Sequence, residues 1–234
     1  GQGPKALIAE LLAAEIGIAL DLAVPEPAIV HLGEGFGRSE SDPEIQDLLR
    51  GSVGPNFGLR FLSGAMGFDP AIDCQDIDPE FAAKVVWFDA YISNVDRTVR
   101  NPNMLYWDGR LWLIDHGAAL YFHHSWAGWE DRIQSRFPRI KDHVLLHEAG
   151  DLQEVDYELA ARLDHDIIAE IVAVLPDEWL AGEDEFDTEE DHRAAYVRYL
   201  TERLAEPRHW LDEAMEAKAQ GPKPYKERVT RRVV

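Results

Sequence analysis

Two β-rich runs, Met104–Trp107 and 110–114, are separated only by Asp108-Gly109. Two residues suffice to reverse a chain when both accept positive φ, and Asp-Gly is such a pair. The sequence therefore predicts a two-residue β-hairpin in which Trp107 faces Arg110. Each step outward adds one residue per strand. If the pairing persists, Pro102 faces Asp115 and Asn101 faces His116, which sets Asn101 and Asp115 diagonally adjacent. Asp96 lies on the incoming loop, five residues before Asn101.

These three short side chains have plain uses taken singly. Asp96 and Asn101 can cap turns, and Asp115 can be a strand-end acid bonded to a turn. Taken together they suit one task. Asn101 and Asp115 offer hard oxygen ligands for Mg²⁺, and Asp96 is placed to orient or deprotonate an attacking hydroxyl. Segment 94–117, NVDRTVRNPNMLYWDGRLWLIDHG, thus reads as a phosphoryl-transfer site. Asn103 is the second candidate metal ligand, Arg97 a brace for the loop, and Arg100 a solvent-facing residue.

Around this stretch the pattern is a little β followed mostly by helix. Pro4 opens a helix that runs to about Leu22, and Pro25 and Pro27 exclude helix beyond it. Residues 28–32 read as a short strand, 33–55 as loop with a short helix at 43–49, and 58–68 is ambiguous. Asp78-Pro79 starts a helix with Phe81, Val85, Phe88 and Ile92 on one face. Helical patterns follow at 157–175 and 189–219. The acidic run 183–190 lacks a Ca²⁺-loop arrangement and reads as a solvated loop. His116, His123 and His124 read as packing or surface residues, because no Cys or acid completes a zinc spacing. The tryptophans read as core and hairpin packing. Gly1-Gln2-Gly3 is only a weak phosphate-loop signal.

The 234 residues, 46% of them hydrophobic, suffice for one large core, or one domain with a smaller appendage. A formal net charge of −21 disfavours nucleic acid and anionic membranes as partners. It also opposes a nucleotide, so a local cation would have to compensate. The single cysteine, Cys74, permits no disulfide within the chain, which fits a cytoplasmic setting. Segment 6–24 is apolar, but Glu10, Glu15 and Asp21 interrupt it at helical spacing, so it reads as a buried amphipathic helix. The chain begins at Gly1 with no signal peptide, and a trimmed fragment is expected.

The spacing D-x-x-x-x-N, then strand, turn, strand and I-D-x-G, resembles the catalytic loop and metal-binding Asp of protein-kinase-like enzymes. The D-R-x-x-x-N form with IDHG is similar to HipA-like kinases and phosphoinositide kinases. AEL, an apolar helix and L-A-V-P near the start strengthen the resemblance, which covers 1–146 and includes KDHVLL at 141–146. It implies an α+β, protein-kinase-like fold. Residues 1–33 would be a remnant of the N-lobe, 34–222 a helical C-lobe with the catalytic loop and hairpin, and 223–234 a flexible basic tail. It implies ATP and Mg²⁺ as cofactors and a protein or small-molecule hydroxyl as acceptor. Asp96 would be the base, Asn101 and Asp115 metal ligands, and Glu10 the helix Glu that pairs with the nucleotide-binding Lys. Three positions depart from the pattern. Asp21 stands where Gly is usual, His116 where Phe is usual, and the Lys strand is not visible, which leaves Lys5 as a substitute. The competing readings are an inactive kinase-fold binding module and a metal-dependent phosphohydrolase using Asp96, Asp115 and nearby His.

Overall fold

The computed structural model describes residues 3–221. Gly1, Gln2 and residues 222–234, which include the basic tail expected at 223–234, lie outside the described residues.

Helix α1 spans Pro4–Ala19, with Pro4 in its first turn, where the missing N–H is not needed. It ends three residues earlier than the sequence suggests. The Leu22 N–H donates to the Gly17 carbonyl and the Asp21 N–H to the Ile18 carbonyl, both at 2.9 Å. Asp21 sits at φ +61°, the left-handed residue that closes such a helix end. That explains why glycine is the expected residue there. Gly17 permits a close approach: a Cβ on it would lie 2.8 Å from Val24 Cγ2.

Strand β1 (Pro27–Leu32) pairs antiparallel with β2 (Gly54–Leu59), joined across a loop that carries α2 (Pro43–Arg50). Asp42 caps α2 by accepting from the Glu44 N–H. The short β3 (Met66–Gly67) precedes α3 (Pro70–Asp73). Asp78 then caps α4 (Pro79–Tyr91), accepting from the Glu80 and Phe81 N–H groups. The sequence suggested one apolar face for α4. Instead every residue from 85 to 94 is buried, and α4 is the central rod of the molecule.

Strands β4 (Met104–Trp107) and β5 (Arg110–Leu113) form the expected hairpin, with Trp107 opposite Arg110, and β3 adds to the β4 edge. Asp108 and Gly109 take φ +49° and +75°. The remainder is helical: α5 (Leu152–Ala160), α6 (His165–Ala173), α7 (Asp177–Leu180), α8 (Glu189–Arg203) and α9 (His209–Ala219). The pattern at 157–175 is two helices because Asp164 caps a new start, and that at 189–219 is two because Pro207 interrupts it. Buried side chains from α1 and from α4 through α9 form one hydrophobic core.

Candidate functional site

The loop leaving α4 folds back on itself. Thr98 and Asn101 exchange backbone hydrogen bonds at 3.0 and 3.1 Å, which turns a separation of five residues into contact. The Asn101 Nδ2 donates to Asp96 Oδ2 at 2.6 Å, and the Asp96 N–H donates to Asn94 Oδ1 at 3.1 Å. One Asp96 oxygen and the Asn101 amide oxygen remain outside these bonds. Both residues stay in reach of solvent.

Hairpin pairing does not persist to Asn101. Its last backbone bond is from the Ile114 N–H to the Asn103 carbonyl, at 3.0 Å. Pro102 has no N–H to offer, and Asn103 turns the chain at φ +50°. Asn101 therefore bonds within its own loop rather than facing His116. Asn103 spans the feet instead, donating from Nδ2 to the Asp115 carbonyl at 3.2 Å.

Asp115 is exposed and held at φ +54°, a conformation that costs a non-glycine residue energy. Two bonds hold it: the one from Asn103, and one from the His116 N–H to Glu10 Oε2 at 2.9 Å. Burial pushes the Glu10 carboxyl up to about 7, the His116 N–H opposes this, and the neighbouring Asp115 charge adds to it. Two carboxyl groups are thus set side by side, one of them partly desolvated. That donor set suits a divalent cation, whose charge would relieve the repulsion. Asp115 and the Asn101 amide oxygen are each hard oxygen donors of the kind Mg²⁺ takes. Among the described residues, no group of three or more His, Cys, Asp or Glu is gathered to hold a metal by protein ligands alone.

Lys5 is not brought to Glu10. Its ammonium pairs with Glu183 at 2.8 Å. Five residues along one helix turn the two side chains roughly 140° apart, so α1 cannot present both to one ligand. The His116 ring is fully buried edge-on to Phe88, at 5.7 Å. Burial lowers its pKa to about 3, and neither ring nitrogen has a hydrogen-bond partner. His123 is buried against the Tyr196 hydroxyl, at 2.9 Å, whereas His124 is exposed.

The sequence reading missed Asp89. Its carboxylate, fully buried on α4, accepts from Arg97 Nε at 2.5 Å, Asn94 Nδ2 at 2.9 Å and His143 Nε2 at 2.9 Å. The Leu145 N–H donates to His143 Nδ1, which leaves the ring proton on Nε2, facing Asp89. Arg97 in turn donates to the Asn103 carbonyl at 2.5 Å. The available signal was a lone acid inside the apolar run VVWFDAYI. A groove between α6 and α8, lined by Val172, Ala194 and Val197 among others, includes none of these residues.

Small sheets set on a mostly helical body, with an acid–amide loop running into a hairpin, fit a kinase-like α+β fold. A family model described as HipA-like kinase matches residues 1–213, and the chain belongs to that family. No curated protein gives a match. Among the described residues no helix is long and apolar enough to cross a membrane.

Proposed function

We propose that the chain is an ATP- and Mg²⁺-dependent kinase that phosphorylates a hydroxyl, in the first instance a protein Ser or Thr. Residues 1–33 and 34–222 serve as its small-lobe and helical-lobe parts. The observation that carries this reading is the Asp96–Asn101 hydrogen bond of 2.6 Å on the loop feeding the hairpin that presents Asp115. Asp96 keeps one oxygen to take the proton of the attacking hydroxyl as its oxygen bonds to the γ-phosphorus and ADP departs. Asn101 and Asp115 would hold Mg²⁺, which would supply charge neutralisation for the phosphates. Glu10 fixes the height of Asp115 through the His116 N–H.

Calorimetric titration with Mg·ATP tests the reading. Asp115→Ala should abolish Mg²⁺-dependent nucleotide binding. Asp96→Ala should leave binding within about threefold and lower phosphoryl transfer by at least a hundredfold, the scale of a positioned base. Absence of binding at millimolar Mg·ATP, or equal loss of binding in both variants, would overturn it.

One observation favours a second reading, a kinase-fold binding module without transfer activity. Glu10 is occupied by the His116 N–H while Lys5 pairs with Glu183. Nucleotide binding without transfer to any hydroxyl would select it.

A further inference from the structure

Asp89 touches none of the residues assigned to chemistry, yet each is tied to it. Asn94 bonds Asp89 with its amide nitrogen and the Asp96 N–H with its amide oxygen, so the base is one side chain removed from the anchor. Arg97 bonds Asp89 and reaches past it to the Asn103 carbonyl, and Asn103 holds the Asp115 carbonyl. His143 brings in a distant segment, which closes over the loop by bridging to Thr98 and by the Val144 N–H donating to the Arg97 carbonyl at 3.0 Å. One carboxylate thus fixes the start and middle of the loop, the foot of the hairpin and the strap across them.

We propose that Asp89 is a positioning residue for phosphoryl transfer, setting the spacing of Asp96, Asn101 and Asp115 through Asn94, Arg97 and His143. The proposal rests on the kinase reading for its kinetic consequence and on geometry alone for its structural one. The site is rigid on this side because the clamp is buried. The Asp89 and Arg97 side chains are both 0% exposed, so water does not compete for their bonds. Burial alone would raise the Asp89 carboxyl, but the Arg97 charge and the His143 bond outweigh it and hold it well below the usual carboxylate range. The anchor therefore stays ionised at neutral pH.

The test compares Asp89→Asn with Asp156→Asn in the full chain. Asp156 is an equally buried carboxylate, bonded to Trp87 and Arg208 at 2.7 Å each, away from the loop. It controls for simple loss of a buried acid. Hydrogen exchange should show the Asp96, Thr98, Asn101 and Val144 amides losing protection about tenfold or more in Asp89→Asn and not in Asp156→Asn. Kinetics at a temperature where both variants are folded should show kcat lowered about a hundredfold in Asp89→Asn, with KM for Mg·ATP within about threefold. Asp156→Asn should keep kcat within about threefold of the wild type. If Asp89→Asn does not fold, Asn94→Ala replaces it. That variant leaves the Asp89–Arg97 pair intact, and it should still release the Asp96 amide and lower kcat about tenfold. Unchanged protection of the loop would overturn the proposal whatever the activity, as would lost protection with kcat retained. Lost protection in a protein whose wild type transfers no phosphate would sink the kinase reading and leave the clamp standing.

Discussion

Glu10 is a carboxyl that the fold makes reluctant to ionise. Partial burial is the largest cause, and Asp115 beside it adds repulsion, so its pKa rises from 4.5 to about 7. The folded state then binds the proton more tightly than the unfolded chain does. Its stabilising share is complete below about pH 4.5 and is lost as pH rises through about 7. Glu10→Gln keeps an oxygen to accept the His116 N–H but has no proton to lose. Its urea-unfolding free energy should exceed that of the wild type by on the order of 2 kcal/mol at pH 8 and by little at pH 4.5. A difference independent of pH would show that Glu10 ionises as freely folded as unfolded. At this site the sequence indicated Glu10, Asp96, Asn101 and Asp115 but not their contacts. Counting register outward from the turn sets Asn101 against the hairpin, but Pro102 and the left-handed Asn103 end the pairing first. Lys5 is the substitute left where no Lys strand is visible, and five residues before Glu10 on one helix it points away from that carboxyl.

Elements whose cause is local were the legible ones. The hairpin followed from Asp108-Gly109 and the α4 start from Asp78-Pro79. Strand β2, GPNFGL, was invisible because Gly and Pro carry no β signal, and its pairing with β1 bridges a long loop. The Asp89 clamp was invisible for a related reason: His143 lies 54 positions from it in sequence. Helix α1 ends three residues before the sequence suggests, and the geometry of that end yields a test. Asp21 is exposed at φ +61° and puts a negative charge at a helix C-terminus, where the dipole disfavours it. Asp21→Gly removes both penalties and adds back some unfolded-state entropy. A net gain of about 0.5–1 kcal/mol is expected by thermal or denaturant unfolding. A loss would mean that the Asp21 side chain contributes more than its backbone strain costs.

Across the molecule, buried histidines oppose Glu10. Burial lowers His116 and His123 from 6.5 to about 3, and it lowers His192 as well. A histidine with a depressed folded pKa contributes stability that is complete above about pH 6.5 and falls away as acid charges the unfolded chain first. Asp89 acts in the same direction below its ordinary range, because the fold prefers it ionised. Glu10 has the reverse slope between about 4.5 and 7. Stability should therefore crest in the weakly acidic range. Relief of the −21 net charge on acidification also shifts the curve, so the histidine share is best read as a difference between proteins. His116→Phe supplies it, since neither ring nitrogen makes a hydrogen bond, Nδ1 lying 4.0 Å from Glu10 Oε2, and the ring packs edge-on to Phe88. Any overpacking by the larger ring is the same at every pH and cancels between two of them. At pH 5 the wild type must keep His116 neutral 1.5 units below the unfolded pKa of 6.5, so the gain on substitution should be larger at pH 5 than at pH 8 by about 2 kcal/mol. Equal gains at the two pH values would mean that His116 is charged in the fold, and the buried, neutral ring beneath Asp115 would have to be abandoned.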